Sequence, residues 1–532
     1  MRAMSTRARP LCLVALLLAA CDPSRAPDAP VSAVPTSTPT HASTTAPPTP
    51  SGSAPRPVAD APSMQKRPCV HEGKLGRDLE VGPGQKLTTL SDVPWETLGP
   101  GDTVRVHFKP EPYRDKILIS QSGSAEAPIR LCGIAGPNGE RPILDGDGAA
   151  TRRTPTYAYE PQQDRGLVIV SLDAADRYGY KPSHIEIEGL EIRNAHPDHG
   201  YTGAAGDKRQ FMAMAAGIFI ERGEDITVRD CVIHDNGNGF FVASGDDEAR
   251  LSRRITFEGN DVFGNGTPGK GFDRRHNIYG EAVGMTYQWN HIGPLREGAG
   301  GSALKDRSAG TIVRYNWIEG GARQLDLVEA EDGWPMMKDL PEYRDAFVYG
   351  NVIVSRAGAT NVVHFGGDNG LEDKYRLGTL YFYANTVVAV ADETKRWRVA
   401  VLELSTNRQT ADVRDNVFWT APSTPGSNPS HLTVMAQFGT AVLGKNVAGP
   451  AIGAFSDAAE TKGKIDGLER IIKVTEPPFV DVAKLELRPR ADSPSVGAFE
   501  PLSPKALPLT LEYVPHKGSR VRTPHDLGAL EH

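Results

Sequence analysis

Short runs in which apolar and polar residues alternate recur along the chain between Gly, Asn and Asp turns, and they fall into one register. The runs are IEIEGLEI (185–192), ITVRDCVI (226–233), ITFEGNDV (255–262), MTYQWNHI (285–292), TIVRYNWI (311–318), AFVYGNVI (346–353), LYFYANTV (380–387), ADVRDNVF (411–418) and, more weakly, AVLGKNVA (441–448). Alternation with period two marks a half-buried strand. A strand unit returning every 26 to 41 residues marks a solenoid. The sixth position of each unit reads Leu190, Cys231, Asn260, Asn290, Asn316, Asn351, Asn385, Asn416 and Asn446. A tight bend between strands favours a residue that tolerates left-handed backbone, and stacked Asn amides satisfy one another inside the coil. The pattern predicts an all-β, single-stranded parallel β-helix with an Asn ladder over residues 67–486 and a closing or capping segment at 487–532. A β-propeller needs about four strands per repeat, whereas most repeats here show two or three.

Each coil carries a second strand beyond the Asn turn: GIFIER (217–222), GFFVAS (239–244), HNIYGE (276–281), ALKDRS (303–308), QLDLVE (324–329), VVHFGG (362–367), VLELST (401–406) and MAQFGT (435–440). With Ile278, Leu304, Leu325, Val363 and Leu402 inward, and Leu327, Phe365 and Leu404 in a second inward row, the position between them points out. That position reads Tyr279, Lys305, Asp326, His364 and Glu403, one residue per coil, at a spacing of about 4.8 Å. Neighbouring outward positions add Glu281, Arg307 and Ser405 on one side, and Asn277 and Gln324 on the other. Phe219 and Phe241 are expected in the core, and Trp289, Trp317 and Phe418 as packing residues.

Composition adds little for the body of the chain and much for its start. The 532 residues are 39% hydrophobic with 55 Gly and 42 Pro, as suits a turn-rich globular protein. A net charge of −7 with no basic stripe gives no reason to expect nucleic acid. Arg2, Arg7 and Arg9 precede LCLVALLLAA, which is too short to cross a bilayer and fits a signal-peptide core. The run ends at Cys21 in a pattern that resembles a bacterial lipobox, with a plain signal peptide as the alternative. The lipobox implies a signal peptide at 1–21, lipidation of Cys21 and a membrane anchor. Residues 22–66, rich in Pro, Ser, Thr and Ala, have almost nothing to bury and read as a disordered tether. The expected product is a monomeric exported bacterial lipoprotein of the cell envelope, on its periplasmic face or outer surface. Export permits a disulfide between Cys69 and Cys132, and Cys231 reads as a buried apolar residue.

A long sheet bearing such a column suits an extended sugar polymer. An acidic glycan is cleaved by β-elimination when one group neutralises the C6 carboxylate, a base removes the C5 proton and an acid protonates the leaving oxygen. Lys305 or Arg307 suits the base or the neutraliser, Tyr279 or His364 the acid, and Asp326 completes the catalytic set. His276, Asn277, Arg323, Gln324 and Glu403 are expected to bind the substrate. Asp326, Glu329 and Glu331 could hold Ca²⁺ through carboxylate oxygens. Hydrolysis by paired carboxylates, such as Asp326 with Glu329 or Glu403, is the alternative reaction. A glycan-binding surface lipoprotein without catalysis is the third reading.

The opening order of a GDTV strand (101–104), a Tyr-containing turn, an API strand (127–129) and a PILDG strand (142–146) resembles the first coils of right-handed parallel β-helices of the pectate-lyase-like superfamily. His276-Asn277-Ile278-Tyr279, Leu304-Lys305-Asp306-Arg307 and Gln324-Leu325-Asp326-Leu327 are similar to segments of uncharacterised exported β-helix proteins, which are generally supposed to act on polysaccharides. Lys305 followed by TIVRYNWI also resembles the alginate lyase and chondroitinase B family and falls where that family has its catalytic Lys. The family's Arg position falls near Val328 or Glu329, and Arg323 stands nearby in another register. The resemblance implies a right-handed helix and a lyase, with Ca²⁺ as a possible cofactor.

Overall fold

The computed structural model describes residues 67–532 apart from residue 74 and the segments 270–274, 357–358, 392–397, 423–430, 457–460 and 515–517, and residue 451. Cys21, the signal segment and the tether lie outside the described residues. Among the described residues no helix is long and apolar enough to cross a membrane.

Three sheets of 13, 14 and 11 strands, almost wholly parallel, run the length of the body. Each coil gives one strand to each sheet before the next coil stacks on it. Val283–Gln288, His291–Ile292 and Leu304–Asp306 make one such turn. The chain is therefore a parallel β-helix. In the first sheet Ile185, Ile226, Ile255, Met285, Thr311, Ala346, Leu380, Ala411 and Ala441 are successive Cα partners, in the register the alternation predicts. In the 14-stranded sheet Ile278, Leu304, Leu325, Val363 and Leu402 form an inward row, all fully buried.

The Asn ladder is present. The Asn290 Oδ1 accepts from the backbone N–H and the Nδ2 of Asn260 at 3.0 and 3.1 Å. The same double contact links Asn290, Asn316, Asn351, Asn385, Asn416 and Asn446 in order. Its first rung is the Asn260 Oδ1, which accepts from the Cys231 N–H. The bend itself is made one residue earlier than the sequence pattern suggests. Trp289, Tyr315, Ala384 and Asp415, each preceding a ladder Asn, hold φ of 57°, 53°, 51° and 57°. Left-handed backbone is unfavourable for such residues, and the doubly bonded amide next in the chain holds it in place.

A second, shorter ladder joins Asn236, Asn265 and Asn277, again through amide oxygens that accept twice. The sequence pattern did not expose it. Asn277, placed on the outer face by the alternation, is instead fully buried in this ladder and donates to the Gly293 carbonyl at 2.8 Å.

Residues beyond 487 run back along the flank of the coils. Leu509, Leu511 and Tyr513 pack on Trp289, Tyr315, Tyr349 and Tyr383. Leu527, Ala529 and Leu530 cover Val352, Val388, Val417 and Val447. The Tyr383 hydroxyl donates to the Leu507 carbonyl at 2.8 Å. At the other end, a Cys69–Cys132 disulfide ties the entry segment to the strand Ile129–Ile134. Cys231 is buried and unbridged.

Candidate active site

The 14-stranded sheet carries the predicted column in the predicted register. Tyr279, Lys305, Asp326, His364 and Glu403 are successive Cα partners. The column continues through Phe241 to Phe219, so both phenylalanines lie on the outward side and not in the core. They are buried nonetheless, because Tyr157 and the Arg165 guanidinium, 4.4 Å from the Phe219 ring centre, cover them. Tyr279 stacks on Phe241 with ring centres 4.3 Å apart and donates to Glu331 at 3.3 Å. Burial raises its phenol well above the ordinary value, only partly opposed by Arg307.

Lys305, predicted with Arg307 as base or neutraliser, donates to Asp326 at 2.8 Å and to Asp368. The ammonium is thus clamped between two carboxylates. Asp326, 2% exposed, also lies 2.8 Å from the His364 Nδ1 and 3.6 Å from Arg323. Burial alone would raise the Asp326 carboxyl, but His364, Lys305 and Arg323 outweigh it and hold the carboxyl far below the usual range. With Asp326 fixed as an anion, the His364 Nδ1 carries the hydrogen in the neutral ring, and Nε2 faces Ser405 Oγ at 3.0 Å.

Arg307 donates to the Glu329 carbonyl at 2.7 Å and to Asp368 at 3.1 Å, and it lies 3.3 Å from the Glu329 carboxylate and 3.4 Å from that of Glu331. Burial works against this charge. Tyr279, Asp368, Glu331 and Glu329 outweigh it and raise the Arg307 pKa. Glu281 is buried and accepts the N–H groups of Glu331 and Gly333 at 2.8 and 2.9 Å, and burial pushes its carboxyl up to about 7.

Several predicted roles do not survive the geometry. Gln324 is fully buried and donates to the Gly320 carbonyl, so it does not face a ligand. His276 is 4% exposed, and its Nδ1 accepts the Ser302 N–H at 2.9 Å. Burial, with Lys305 nearby, pushes it down to about 3, so it is a neutral turn residue. The predicted Ca²⁺ trio also fails to converge. Asp326 faces Lys305 and His364, while Glu329 and Glu331 face Arg307, and Glu329 also accepts the N–H groups of Asp368 and Asn369. Among the described residues the one trio with converging ligand atoms is His525, Asp526 and Glu531, in the C-terminal segment.

The open space lies toward the C-terminal coils. A cleft of about 260 Å³ is lined by the polar residues Arg323, His364, Asp368, Tyr375, Glu403, Ser405 and Gln437 and by Leu404, Ala436 and Phe438. Asp368 and Tyr375 come from the loop after the His364 strand. The base of that loop is pinned by Arg376, fully buried, which donates to the Val328 carbonyl at 2.7 Å and to Asp306 and Thr311 at 3.1 Å. Gly367 admits the Tyr375 ring, since a Cβ there would lie 1.9 Å from it. Burial raises the Tyr375 phenol, so it stays protonated near neutrality. Neither Asp368 nor Tyr375 is foreseen from the alternation. The signal available was the turn-rich run Gly366-Gly367-Asp368-Asn369-Gly370 directly after the column's histidine.

No family model matches the chain, and no curated protein matches it in sequence. Among solved structures the chain is similar to a rhamnogalacturonan lyase at 12% identity, covering 77% of this chain and 92% of that one, with a TM-score of 0.42. It is similar to an alginate lyase from Paenibacillus sp. str. FPU-7 at 14% identity, covering 71% and 94%, with a TM-score of 0.32. It is similar to the lacto-N-biosidase of Eubacterium ramulus at 11% identity, covering 75% and 68%, with a TM-score of 0.38.

Proposed function

We propose that the protein degrades an acidic, uronate-containing polysaccharide by β-elimination in the cleft around His364. The observation that carries this reading is one imidazole fixed by Asp326, lining a cleft together with a partly exposed cation, Arg323, and a protonated phenol, Tyr375. Arg323 neutralises the uronate carboxylate, which lowers the cost of the carbanion at C5. His364 removes the C5 proton on Nε2, the nitrogen left without a hydrogen when Asp326 holds the ring hydrogen on Nδ1. Tyr375 protonates the leaving glycosidic oxygen. Lys305 and Arg307 are positioning residues here, holding Asp326 and Asp368. The long parallel sheet offers subsites along a polymer, and Glu403, 3.4 Å from Arg323, borders the carboxylate position.

The test is a panel of uronate-containing and neutral polysaccharides, followed for ultraviolet-absorbing unsaturated ends and for total reducing ends. The expected result is unsaturated products from a uronate polymer, reduced by about 10²–10⁴-fold in His364→Ala. A second reading, hydrolysis, draws on Asp368 and Glu403 lining the same cleft. It predicts new reducing ends without unsaturation. Retention of glycan with no new ends would contradict both.

Attachment to the cell envelope through a lipid on Cys21 belongs to the same proposal, with residues 22–66 as the tether. Its support is the lipobox-like sequence alone. Mass analysis of the mature N-terminus checks it, and an unmodified Cys21 would refute it.

A further inference from the structure

Ser405 is a polar cleft residue that the β-elimination scheme leaves without a task. Its Oγ lies 3.0 Å from the His364 Nε2, and the His364 Nδ1 lies 2.8 Å from the Asp326 Oδ1. Serine, histidine and carboxylate thus form an unbroken chain across three adjacent coils. The order is that of a nucleophile, a base and the group that orients the base. The Gly367 N–H donates to the Ser405 Oγ at 2.8 Å, and the Gly367 and Phe365 carbonyls, at 2.9 and 3.2 Å, are alternative acceptors for the Ser405 hydroxyl, which must turn to His364 to pass on its proton. At Gly366, where φ is 128°, a Cβ would stand 2.6 Å from the same Oγ, so glycine keeps the approach open. Leu404, Ala436 and Phe438 wall the cleft next to Ser405. A cleft of about 260 Å³ has room for a sugar unit carrying a short acyl group.

We propose that Ser405, His364 and Asp326 form a nucleophilic triad that removes small O-acyl groups, such as acetyl, from hydroxyls of the glycan bound in this cleft. The Ser405 proton passes to His364 Nε2 as Oγ bonds to the acyl carbon. The bond from that carbon to the sugar oxygen then breaks, and the sugar oxygen takes the proton from His364. Water, losing a proton to His364, attacks the acyl-serine. The carboxylic acid leaves, and the proton returns to Ser405 Oγ. No oxidant or cofactor is needed. The substrate class rests on the glycan reading above, whereas the triad chemistry does not.

The experiment treats the intact protein with phenylmethylsulfonyl fluoride, maps the adduct by peptide mass spectrometry, and measures acetate release from p-nitrophenyl acetate and from an acetylated uronate polysaccharide. The expected result is a sulfonyl adduct on Ser405 and acetate release. Both fall at least 100-fold in His364→Ala, and Asp326→Asn slows the labelling while keeping the shape of the side chain. Labelling of the wild type needs no variant to fold, so the adduct tests the triad even if a variant does not fold. Unsaturated sugar products with no adduct and no acetate would overturn the triad and leave the β-elimination reading standing. Adduct and acetate without unsaturated products would uphold the triad and overturn β-elimination.

Discussion

Lys305 occupies the middle of the column with its side chain only 10% exposed, between Asp326 and Asp368. Removing one partner of a buried ion group leaves the others uncompensated, at a cost of about 3–5 kcal/mol. Lys305→Ala is therefore expected to lower the urea midpoint markedly as well as the activity, whereas a free catalytic lysine would cost activity alone. Glu281 gives a pH signature of its own. Its folded carboxyl titrates at about 7 against an ordinary 4.5, because burial disfavours the charge. The folded state therefore holds a proton that the unfolded chain has already lost. Stability from this group is full below about 4.5 and is lost as pH rises toward 7. The shift corresponds to roughly 3 kcal/mol at most. Glu281→Gln keeps an oxygen for the Glu331 and Gly333 N–H groups and is expected to flatten the fall in Tm between those two pH values. An unchanged slope would contradict the assignment.

At the scale of the strand and its turn, Asn277 separates the two faces of the sheet. Its amide accepts twice from Asn265 inside the coil. Asn277→Ala should therefore cost about 1–3 kcal/mol in denaturant unfolding, through the donors it orphans, and leave KM near the wild-type value. A raised KM at unchanged stability would return Asn277 to the surface. The register of the column was legible in the sequence because Ile278, Leu304, Leu325, Val363 and Leu402 alternate with it. Slipping any strand by one residue would bury a charge. Asn277 precedes the strand Ile278–Gly280, where alternation no longer sets the face, whereas Gln324 lies inside Arg323–Leu327 and is buried by the preceding turn, whose Gly320 and Gly321 carbonyls it bonds. Asp368 and Tyr375 sit on a loop whose path is set by Arg376 reaching under two coils, a contact no local pattern encodes.

Over the whole molecule, the coils are held by neighbour-to-neighbour contacts, and the C-terminal segment is what spans several of them. It covers Tyr315, Tyr349 and Tyr383 on one flank and Val352, Val388 and Val417 on another. Ending the chain at 486 would expose these as contiguous apolar patches. Such a truncation is expected to self-associate in light scattering while the intact chain does not. The sequence showed 487–532 only as a closing segment, since covering a flank formed by distant coils leaves no periodic trace. The solenoid places Arg323 and His364 from adjacent coils on one cleft, with Asp326 buried against His364, and this cleft is proposed to cleave a uronate polymer by elimination. The most direct measurement is the mass of the oligosaccharides released from a uronate polysaccharide by wild type and by His364→Ala. The account predicts fragments one water lighter than hydrolysis products from wild type, and their near-complete loss in the variant. Fragments of full hydrolytic mass, or unsaturated fragments undiminished in His364→Ala, would contradict it.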